Sequence, residues 1–266
     1  MSDPGFHRGG SGPPLLLLHG MTSSWRAWRP LLPMLEQHHE VWAVTLPGHY
    51  GGPSLPDEPF SIDVMVDGLI ARLDALGVPE TPHVAGNSLG GWAALELARR
   101  GRAASVVALS PAGAWAMPSD LYRLLATFRV GALLAGWAPV RVLASCRLLR
   151  RVLLRTVSEH ADRYHGDDVD VLFDDLVGCT ALDPLLSAAS MDTMIEPFDE
   201  APCPTRIAWS GVDRTIPYGR YAQPMMEAVP GAELVVLPGV GHVPMVDNPA
   251  LVAWTILQHT RYEVIR

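Results

Sequence analysis

The sequence predicts an α/β protein with a mostly parallel sheet flanked by helices and one long helical insertion. Two observations support this prediction. Short apolar runs alternate with helical patterns up to about residue 110 and again after residue 200, which is typical of βαβ units. Between residues 115 and 200 the strand pattern disappears, and leucines and arginines recur at helical spacing. We therefore expect a core domain of residues 1–114 and 201–266 and a helical insertion of residues 115–200.

The strands are predicted from short apolar runs that are bounded by turn residues. The stretch Gly9–Pro14, before the first of these runs, is rich in glycine and proline and is expected to be loose. The expected strands are Leu15–Leu18, Val41–Thr45, His83–Ala85, Ser105–Leu109, Arg206–Trp209 and Leu234–Leu237.

The helices are predicted from the spacing of apolar residues. From Met65 to Leu76 these residues recur at intervals of four, four and three, which predicts an amphipathic helix over Ile62–Leu76 that ends at Gly77. Further helices are expected over Leu89–Arg100, over Tyr218–Ala228 and from Pro249 onwards.

Composition excludes several classes of function. With 266 residues, 48% apolar residues and a formal charge of −8, the chain can bury a sizeable core, and general affinity for nucleic acid or anionic lipid is disfavoured. All 20 basic residues are arginines, so lysine nucleophiles and Schiff bases are excluded. The longest apolar run, Val130–Val140, is too short to span a bilayer, and the N-terminus does not resemble a signal peptide.

The three cysteines are Cys146, Cys179 and Cys203, an odd number with no C-x-x-C or histidine-linked spacing. This pattern favours reduced thiols, a cytoplasmic setting and no metal site. The insertion is basic in its first half and acidic in its second half. We interpret the two halves as complementary solvated helix faces, and a charged substrate entrance is the alternative.

The most informative motif is Gly86-Asn87-Ser88-Leu89-Gly90, between a predicted strand and a predicted helix. A serine on a sharp strand-to-helix turn needs small residues on both sides, because the two backbone segments crowd there. This context favours a nucleophile elbow at Ser88. The alternative is an ordinary glycine-rich turn in which Ser88 caps the helix.

A serine nucleophile needs a base, and the base needs an acidic partner. Asp213 and His242 each follow a predicted strand, so both are expected at the same sheet edge as Ser88. Alternatively, Asp213 forms only a local turn and His242 is an exposed loop residue. Asp247 competes for the acidic role, but its position before Asn248-Pro249 favours capping of the last helix.

Acyl transfer also requires hydrogen-bond donors for the negative charge that develops on the carbonyl oxygen. The backbone NH of Leu89, directly after Ser88 at a helix N-terminus, is one candidate. The other is the NH of Met21, in the turn His19-Gly20-Met21-Thr22 after the first predicted strand. An ordinary strand-ending turn is the alternative for that segment.

With these residues in place, the chain resembles the α/β-hydrolase superfamily, and specifically its esterase- and lipase-like members with a helical cap. The resemblance covers about residues 13–114 and 201–260. It implies that Ser88 is the nucleophile, His242 the base and Asp213 the acid, and that residues 115–200 form the cap. The motifs are His19-Gly20, Leu46-Pro47-Gly48-His49, Gly86-Asn87-Ser88-Leu89-Gly90-Gly91, Gly211-Val212-Asp213 and Gly241-His242-Val243-Pro244.

The chain also departs from the family pattern. Members usually open with a β-hairpin, whereas only Phe6-His7-Arg8 has strand character here, so the first strands are expected to be shortened or missing. Thr45 stands where an Asp often precedes Leu-Pro-Gly-His. Asn87 resembles carbon–carbon bond hydrolases, but Val243 replaces the tryptophan usual in that group. Epoxide and haloalkane hydrolases place an Asp at the position of Ser88.

The expected function is a serine hydrolase, without a cofactor, that acts on a carboxylic ester, thioester or lactone of a hydrophobic small molecule. Two alternatives stay open at this point. One is carbon–carbon hydrolysis of a ring-cleavage product, and the other is a non-catalytic ligand receptor on the same scaffold. A scaffolding role is disfavoured because no repeat occurs. The sequence does not predict the oligomeric state.

Overall fold

A computed structural model describes residues 5–115, 117–188 and 194–261 of the chain. In this part of the chain, seven strands form one sheet in the order β1-β3-β2-β4-β5-β6-β7. Only β1 runs antiparallel to its neighbour, and the other pairs are parallel. The strands are β1 Phe6–Gly10, β2 Pro14–Leu18, β3 Glu40–Val44, β4 His83–Asn87, β5 Ser105–Leu109, β6 Thr205–Ser210 and β7 Glu233–Leu237.

Helices cover both faces of this sheet, as the α/β prediction requires. Short 3-10 turns occur at Trp25–Trp28 and Ala161–Arg163. The helices are α1 Leu32–Leu35, α2 Ile62–Leu76, α3 Leu89–Arg99, α4 Pro118–Ala135, α5 Ala138–Ser145, α6 Arg147–Leu153, α7 Gly166–Val177, α8 Leu182–Ala188, α9 Tyr218–Ala228, α10 Pro244–Asp247 and α11 Pro249–Arg261.

The core lies on both sides of the sheet. In β2, Leu16 and Leu18 belong to one apolar cluster, which contains the buried faces of α2 and α3. Leu15 and Leu17 point to the other cluster, which contains residues of α11. A parallel strand that is buried on both faces is expected to be apolar throughout rather than alternating. This explains the uninterrupted leucine run.

Most predicted elements are confirmed, and α2 has the predicted bounds because both of its ends are marked in the sequence. The Ser61 hydroxyl accepts a hydrogen bond from the Val64 NH, and Gly77 adopts the left-handed conformation with φ of 74°. The insertion carries α4 to α8, and its described residues contain no strand.

The prediction of a loose stretch over Gly9–Pro14 is wrong at both ends. Gly9 and Gly10 continue β1, where they pair with Val41 and Glu40, and Pro14 begins β2. Backbone pairing needs no side chain, and at Gly9 a Cβ would lie 2.5 Å from the Glu36 carboxylate. Within the described residues, the first strand, β1, therefore lies at the sheet edge and pairs with β3 instead of forming a hairpin with β2.

Candidate active site

The turn between β4 and α3 is a strained backbone bend centred on Ser88. Ser88 has φ of 55° and ψ of −116°, an unfavourable region for a residue with a side chain. A Cβ on Gly86 would lie 2.0 Å from the Gly90 carbonyl oxygen, and one on Gly90 would lie 2.2 Å from the Leu18 carbonyl oxygen. The Ser88 side chain makes no capping hydrogen bond to α3, which argues against the simple capping alternative.

His242 and Asp213 meet at the carboxyl edge of the sheet. His242 Nδ1 lies 2.8 Å from Asp213 Oδ2, and both side chains are buried. The other carboxylate oxygen of Asp213, Oδ1, accepts hydrogen bonds from the backbone NH groups of Thr215 and Ile216 at 2.9 and 2.8 Å. Asp213 thus forms the local turn that the sequence offered as an alternative to a catalytic role, and it contacts His242 at the same time. The turn holds the carboxylate rigidly toward the imidazole.

Ser88 and His242 line the same cavity, which has a volume of about 490 Å³. Within the described residues, no hydrogen bond joins the Ser88 hydroxyl to the His242 ring. Catalytic hydrogen bonds are often longer in substrate-free structures and shorten when substrate binds. The two loops are connected through Asn87, whose amide nitrogen donates to the backbone oxygens of Leu109 and His242 at 3.1 and 3.0 Å.

The turn after β2 brings Met21 beside the elbow. A Cβ on Gly20 would lie 3.3 Å from the Ser88 Cβ, so this turn approaches the serine closely. The His19 ring holds this turn in place through two hydrogen bonds. Its Nε2 accepts a hydrogen bond from the Leu46 NH at 2.9 Å. Its Nδ1 therefore carries the proton and donates to the Gly20 backbone oxygen at 2.7 Å. Burial, and to a lesser degree the neighbouring His49, keeps the pKa of His19 well below its usual value.

The insertion forms the opposite wall of the cavity. Its contribution includes Phe128 from α4, Tyr164 and Leu172. A smaller apolar cleft of about 30 Å³ also opens at Ser88, between Leu89, Trp92 and Phe128. The substrate-sized space therefore lies between the insertion and the sheet edge.

A buried ion pair connects α7 to the 3-10 turn Trp25–Trp28 and its N-cap Ser24, which follow the turn that carries Met21. Asp175 accepts hydrogen bonds from the Ser24 hydroxyl at 2.6 Å and from the Arg26 guanidinium at 2.5 Å. Burial raises the pKa of Asp175 to about 6, against the opposing effects of Ser24 and Arg26. The sequence offered no signal for this contact, because the paired residues are 151 and 149 positions apart.

The prediction that Asp247 caps the last helix is wrong. Asn248 is the cap, since its side-chain oxygen accepts the Leu251 NH at 3.1 Å. The fully buried Asp247 carboxylate instead joins the insertion to the loop of His242. It accepts hydrogen bonds from Ser158 Oγ at 2.6 Å, Glu159 NH at 2.9 Å, His160 NH at 2.8 Å and Gly241 NH at 2.6 Å.

The predicted complementary faces of the insertion are found only in part. Arg141 pairs with Asp174 at 2.9 Å, and Arg147 approaches Asp162 at 3.7 Å. Arg150 and Asp175, however, are buried rather than solvated. Arg150 donates to the backbone oxygen of Ala161 at 2.9 Å.

None of the three cysteines, all of which lie in the described part of the chain, forms a disulfide bond. Cys179 is buried, and burial raises the pKa of its thiol to about 11, whereas Cys146 is exposed. The described residues contain no group of three or more metal-ligating side chains that could hold an ion. None of the described helices is both long enough and apolar enough to cross a bilayer.

Comparison with known proteins identifies relatives with several hydrolytic activities. A family model described as "Alpha/beta hydrolase family" matches residues 15–253. The chain is 36% identical over 190 residues to epoxide hydrolase EphH of Mycobacterium tuberculosis, which covers 70% of this chain and 88% of that protein.

Solved structures show the same fold at low sequence identity. An esterase of Thermogutta terrifontis has a TM-score of 0.71 at 22% identity, over 97% of this chain and 92% of the other. A meta-cleavage product hydrolase of Pseudomonas fluorescens has a TM-score of 0.70 at 20% identity, over 97% and 94% of the two chains.

Proposed function

Because this chain belongs to the alpha/beta hydrolase family and is a hydrolase, we propose that it is a serine hydrolase of carboxylic esters, thioesters or lactones. The observation that carries this proposal is the hydrogen bond between His242 and Asp213, which lies beside the strained Ser88 at one cavity. Family membership alone leaves several hydrolytic reactions open. The choice among them depends on the side chains at this site.

In the proposed reaction, Ser88 is the nucleophile, His242 the general base and Asp213 the orienting acid. The Asp213 carboxylate can only accept, so the His242 proton resides on Nδ1 and the lone pair of Nε2 is free. Nε2 removes the Ser88 proton as Oγ attacks the substrate carbonyl, and it then protonates the leaving group. In the second half of the reaction His242 activates a water molecule, which releases the acid from the acyl-enzyme.

The oxyanion of the tetrahedral intermediate is proposed to bind the backbone NH groups of Met21 and Leu89. Neither NH has an acceptor within the part of the chain that the structure describes. The C=O and NH of a trans peptide point in opposite directions. Because His19 binds the Gly20 oxygen, the Met21 NH of that peptide points away from His19. Leu89 is the first residue of α3, where NH groups lack helical partners.

We propose that the insertion is a cap that selects the substrate. Apolar residues of the insertion, including Phe128, Val171 and Leu172, line the cavity opposite Ser88. Sites for small molecules combine apolar walls with a few placed polar groups, so a hydrophobic acyl or alcohol part fits this space.

Epoxide hydrolysis is a second candidate, because the relative EphH carries that name. The chemistry at position 88 opposes it. If Ser88 Oγ opened an epoxide, the product would be an ether on the enzyme, which His242 and water cannot hydrolyse as they would an ester. A carboxylate nucleophile forms an ester intermediate that water can release, and position 88 carries no carboxylate.

Carbon–carbon hydrolysis is supported by the resemblance at Asn87 and by the fold of the meta-cleavage product hydrolase. The structure gives Asn87 a different explanation. Its amide nitrogen already donates to Leu109 and His242, and a Cβ on Gly20 would lie 3.3 Å from its side-chain oxygen. Asn87 therefore has a structural role in joining two loops, which any of these reactions would use.

The decisive experiment is active-site labelling with a fluorophosphonate, followed by mass spectrometry of the labelled peptide. We expect one label per chain on Ser88, with loss of esterase activity in the same proportion. Ser88→Ala is expected to lose the label and to reduce kcat on the order of a thousandfold or more. Ser23→Ala is a matched control, because Ser23 lines the same cavity but belongs to no proposed catalytic group.

A substrate panel separates the candidate reactions. Nitrophenyl esters, a thioester, a lactone, a ring-cleavage product and an epoxide are compared on the wild type and on Ser88→Ala. Ester turnover that is lost in the variant supports the proposal. Turnover of the epoxide alone, or ester hydrolysis that survives in Ser88→Ala, would contradict it. A chain that takes no label and turns over nothing, but still binds ligands, would favour the receptor alternative.

A further inference from the structure

The outer side of the insertion exposes an unusual amount of apolar surface. We call residues 133–153, at the end of α4 and over α5 and α6, the apolar face. Soluble monomers rarely expose a contiguous apolar patch of more than roughly 300–600 Å², and larger patches mark interaction sites. Nine large apolar side chains of this face are 43% to 78% exposed: Leu133, Leu134, Trp137, Val142, Leu143, Leu148, Leu149, Val152 and Leu153.

Helix α6 is oriented opposite to an ordinary surface helix. A helix on a soluble protein normally turns its apolar side inward and its charges outward. In α6 the buried residue is Arg150, which donates to the backbone oxygens of Ala161 and Ala144. Leu148 and Val152, one helical turn apart, are 78% and 72% exposed. This orientation suits a helix whose outer side contacts an apolar phase.

The chain segment that carries the apolar face is positively charged, although the whole chain is negative. Residues 121–158 contain seven arginines and no Asp or Glu, in a chain with a formal charge of −8. Two of the arginines on α6 remain open to further anions. Arg147 and Arg151 approach Asp162 and Glu159 only at 3.7 and 3.9 Å, and their side chains are 73% and 50% exposed. Arg129 and Arg141 have closer partners in Asp183 and Asp174.

We propose that the apolar face docks on the surface of an anionic lipid bilayer, with α6 in the interface plane. Leucine, valine and tryptophan side chains would enter the acyl boundary, and Arg147 and Arg151 would bind lipid phosphates. The net charge of the chain disfavours a general affinity for anionic lipid, but binding depends on the local charge of the face that meets the membrane. This proposal does not depend on the proposed catalytic reaction.

A second copy of the chain fits this surface less well. The common two-fold dimer places the same patch of both subunits face to face. The positively charged segments of residues 121–158 in the two copies would then face each other, and like charges repel each other. An anionic bilayer supplies the opposite charge and an apolar layer together.

Vesicle flotation with the full chain tests the proposal. We expect binding to phosphatidylcholine vesicles that contain phosphatidylglycerol, and much weaker binding to phosphatidylcholine alone or at high salt. The pairs Leu148→Gln with Val152→Gln and Arg147→Gln with Arg151→Gln are each expected to lower the partition coefficient by roughly tenfold or more. Trp254→Gln is the control, because Trp254 is 56% exposed but lies on α11.

The same variants show which result overturns the proposal. All substituted residues are exposed, so unchanged melting temperatures and unchanged turnover of a water-soluble ester are expected and separate docking from catalysis. Absence of flotation by the wild type with the anionic vesicles would overturn the proposal. Flotation that the paired variants leave intact would do the same. A dimer in light scattering that Leu148→Gln with Val152→Gln dissociates, without vesicle binding, would assign the face to a second copy.

Discussion

The Asp247 carboxylate joins two segments that lie directly beside cavity-lining residues, Val157 and His242. One is the insertion at residues 158–160, and the other is Gly241, the residue before His242. Four donors converge on its two oxygens, and the backbone oxygen of Asp247 accepts a further hydrogen bond from Arg163. Each carboxylate oxygen accepts two hydrogen bonds, Oδ1 from Ser158 and His160 and Oδ2 from Glu159 and Gly241, so the carboxylate ties the two segments to each other. We infer that Asp247 is a positioning residue for His242.

Asp247→Asn tests this role. The amide would point an NH₂ group at NH donors, so we expect a loss of stability of about 2–4 kcal/mol. We also expect kcat to fall roughly tenfold to a hundredfold, with a smaller change in KM, since the His242 loop shifts. Activity is measured below the unfolding transition, and Asp170→Asn, exposed on α7, is the control. An unchanged kcat in a destabilised variant would make Asp247 a purely structural residue.

Glycine is required at the elbow because a side chain there would clash with neighbouring backbone atoms, and not because the turn must be flexible. For Gly90→Ala the new Cβ would lie 2.2 Å from the Leu18 oxygen and 2.5 Å from the His19 oxygen. Both are backbone atoms of the segment that carries the proposed oxyanion donor. We expect Gly90→Ala to lower the free energy of unfolding by more than about 3 kcal/mol, or to prevent folding.

Gly219→Ala is the matched control for the elbow. Gly219 lies in the first turn of α9 and has open space where a Cβ would stand. We expect this substitution to stabilise the protein by roughly 0.5–1 kcal/mol, because alanine is the better helix former. Urea denaturation of both variants measures the difference. Equal stability of the two would contradict the crowding that we describe at the elbow.

The sequence predicted the residues at strand ends but not the residues that hold them. Ser88, Asp213 and His242 each follow an apolar strand, so their shared sheet edge could be inferred from the sequence. Asp175 could not be found in this way, and Asp247 was singled out but given the wrong role, since their partners at Ser24, Arg26 and residues 158–160 are far away in the chain and belong to no motif. Long-range ion pairs inside a protein leave no periodic trace in its sequence.

An ion pair joins α7 of the insertion to the 3-10 turn Trp25–Trp28 of the core. Asp175 and Arg26 have side-chain exposures of only 3% and 13%, so the pair is largely shielded from water. Removing one partner of a buried pair leaves the other charge uncompensated, which is costly. Since Ser24 follows closely after Met21 in the chain, we expect a shift of α7 to reach the proposed oxyanion site.

We therefore expect Asp175→Asn to destabilise the protein by about 3–5 kcal/mol and to raise KM more than it changes kcat. The neighbouring Asp174→Asn is the control: its ion pair with Arg141 is 49% and 29% exposed, so a change within about 1 kcal/mol is expected. Thermal unfolding and initial rates measure both effects. If the two substitutions had the same effect, the ion pair would not hold the insertion in place.

Helices and strands were predictable where the sequence marks both burial and ends. The bounds of α2, α9 and β5 agree with the prediction because apolar periodicity and turn residues coincide there. The insertion could be predicted only as helical. In α6 the apolar residues face outward and Arg150 faces inward, so an argument from apolar periodicity assigns its inner face incorrectly.

Buried neutral histidines make the whole fold sensitive to acid. The ring centroids of His39 and His83 are 5.8 Å apart. Both residues lie at the amino ends of the strands, at the opposite edge of the sheet from the cavity. Burial, followed by the nearby His39 and His259, lowers the pKa of His83 to about 4. Burial also lowers the pKa of His49 to about 4, and the pKa values of His19, His39 and His259 are lowered for the same main reason.

These shifts set the direction of the pH dependence. A histidine whose pKa is lower in the folded state contributes stability that is present above about 6.5, its unfolded value. That stability is lost as the pH falls toward 4, because the unfolded chain takes up the proton first. Asp175 has the opposite effect on stability. Burial raises its pKa to about 6, so protonation of Asp175 on acidification favours the folded state. Five histidines lose stability on acidification and one carboxyl gains it, so we expect the free energy of unfolding to decrease as the pH falls.

His83→Gln tests this account without touching the cavity. Each buried neutral histidine contributes a slope of up to about 1.4 kcal/mol per pH unit between its two pKa values. We therefore expect His83→Gln to reduce the pH dependence of the free energy of unfolding by up to about 1.4 kcal/mol per pH unit between pH 6.5 and pH 4. Urea unfolding at a series of pH values measures this slope. His38→Gln, at an exposed position next to His39, should change the slope much less, because His38 is only a minor cause of the lowered pKa of His39. A wild type that gains stability in acid, or a His83→Gln variant with the wild-type slope, would show that other groups control acid unfolding.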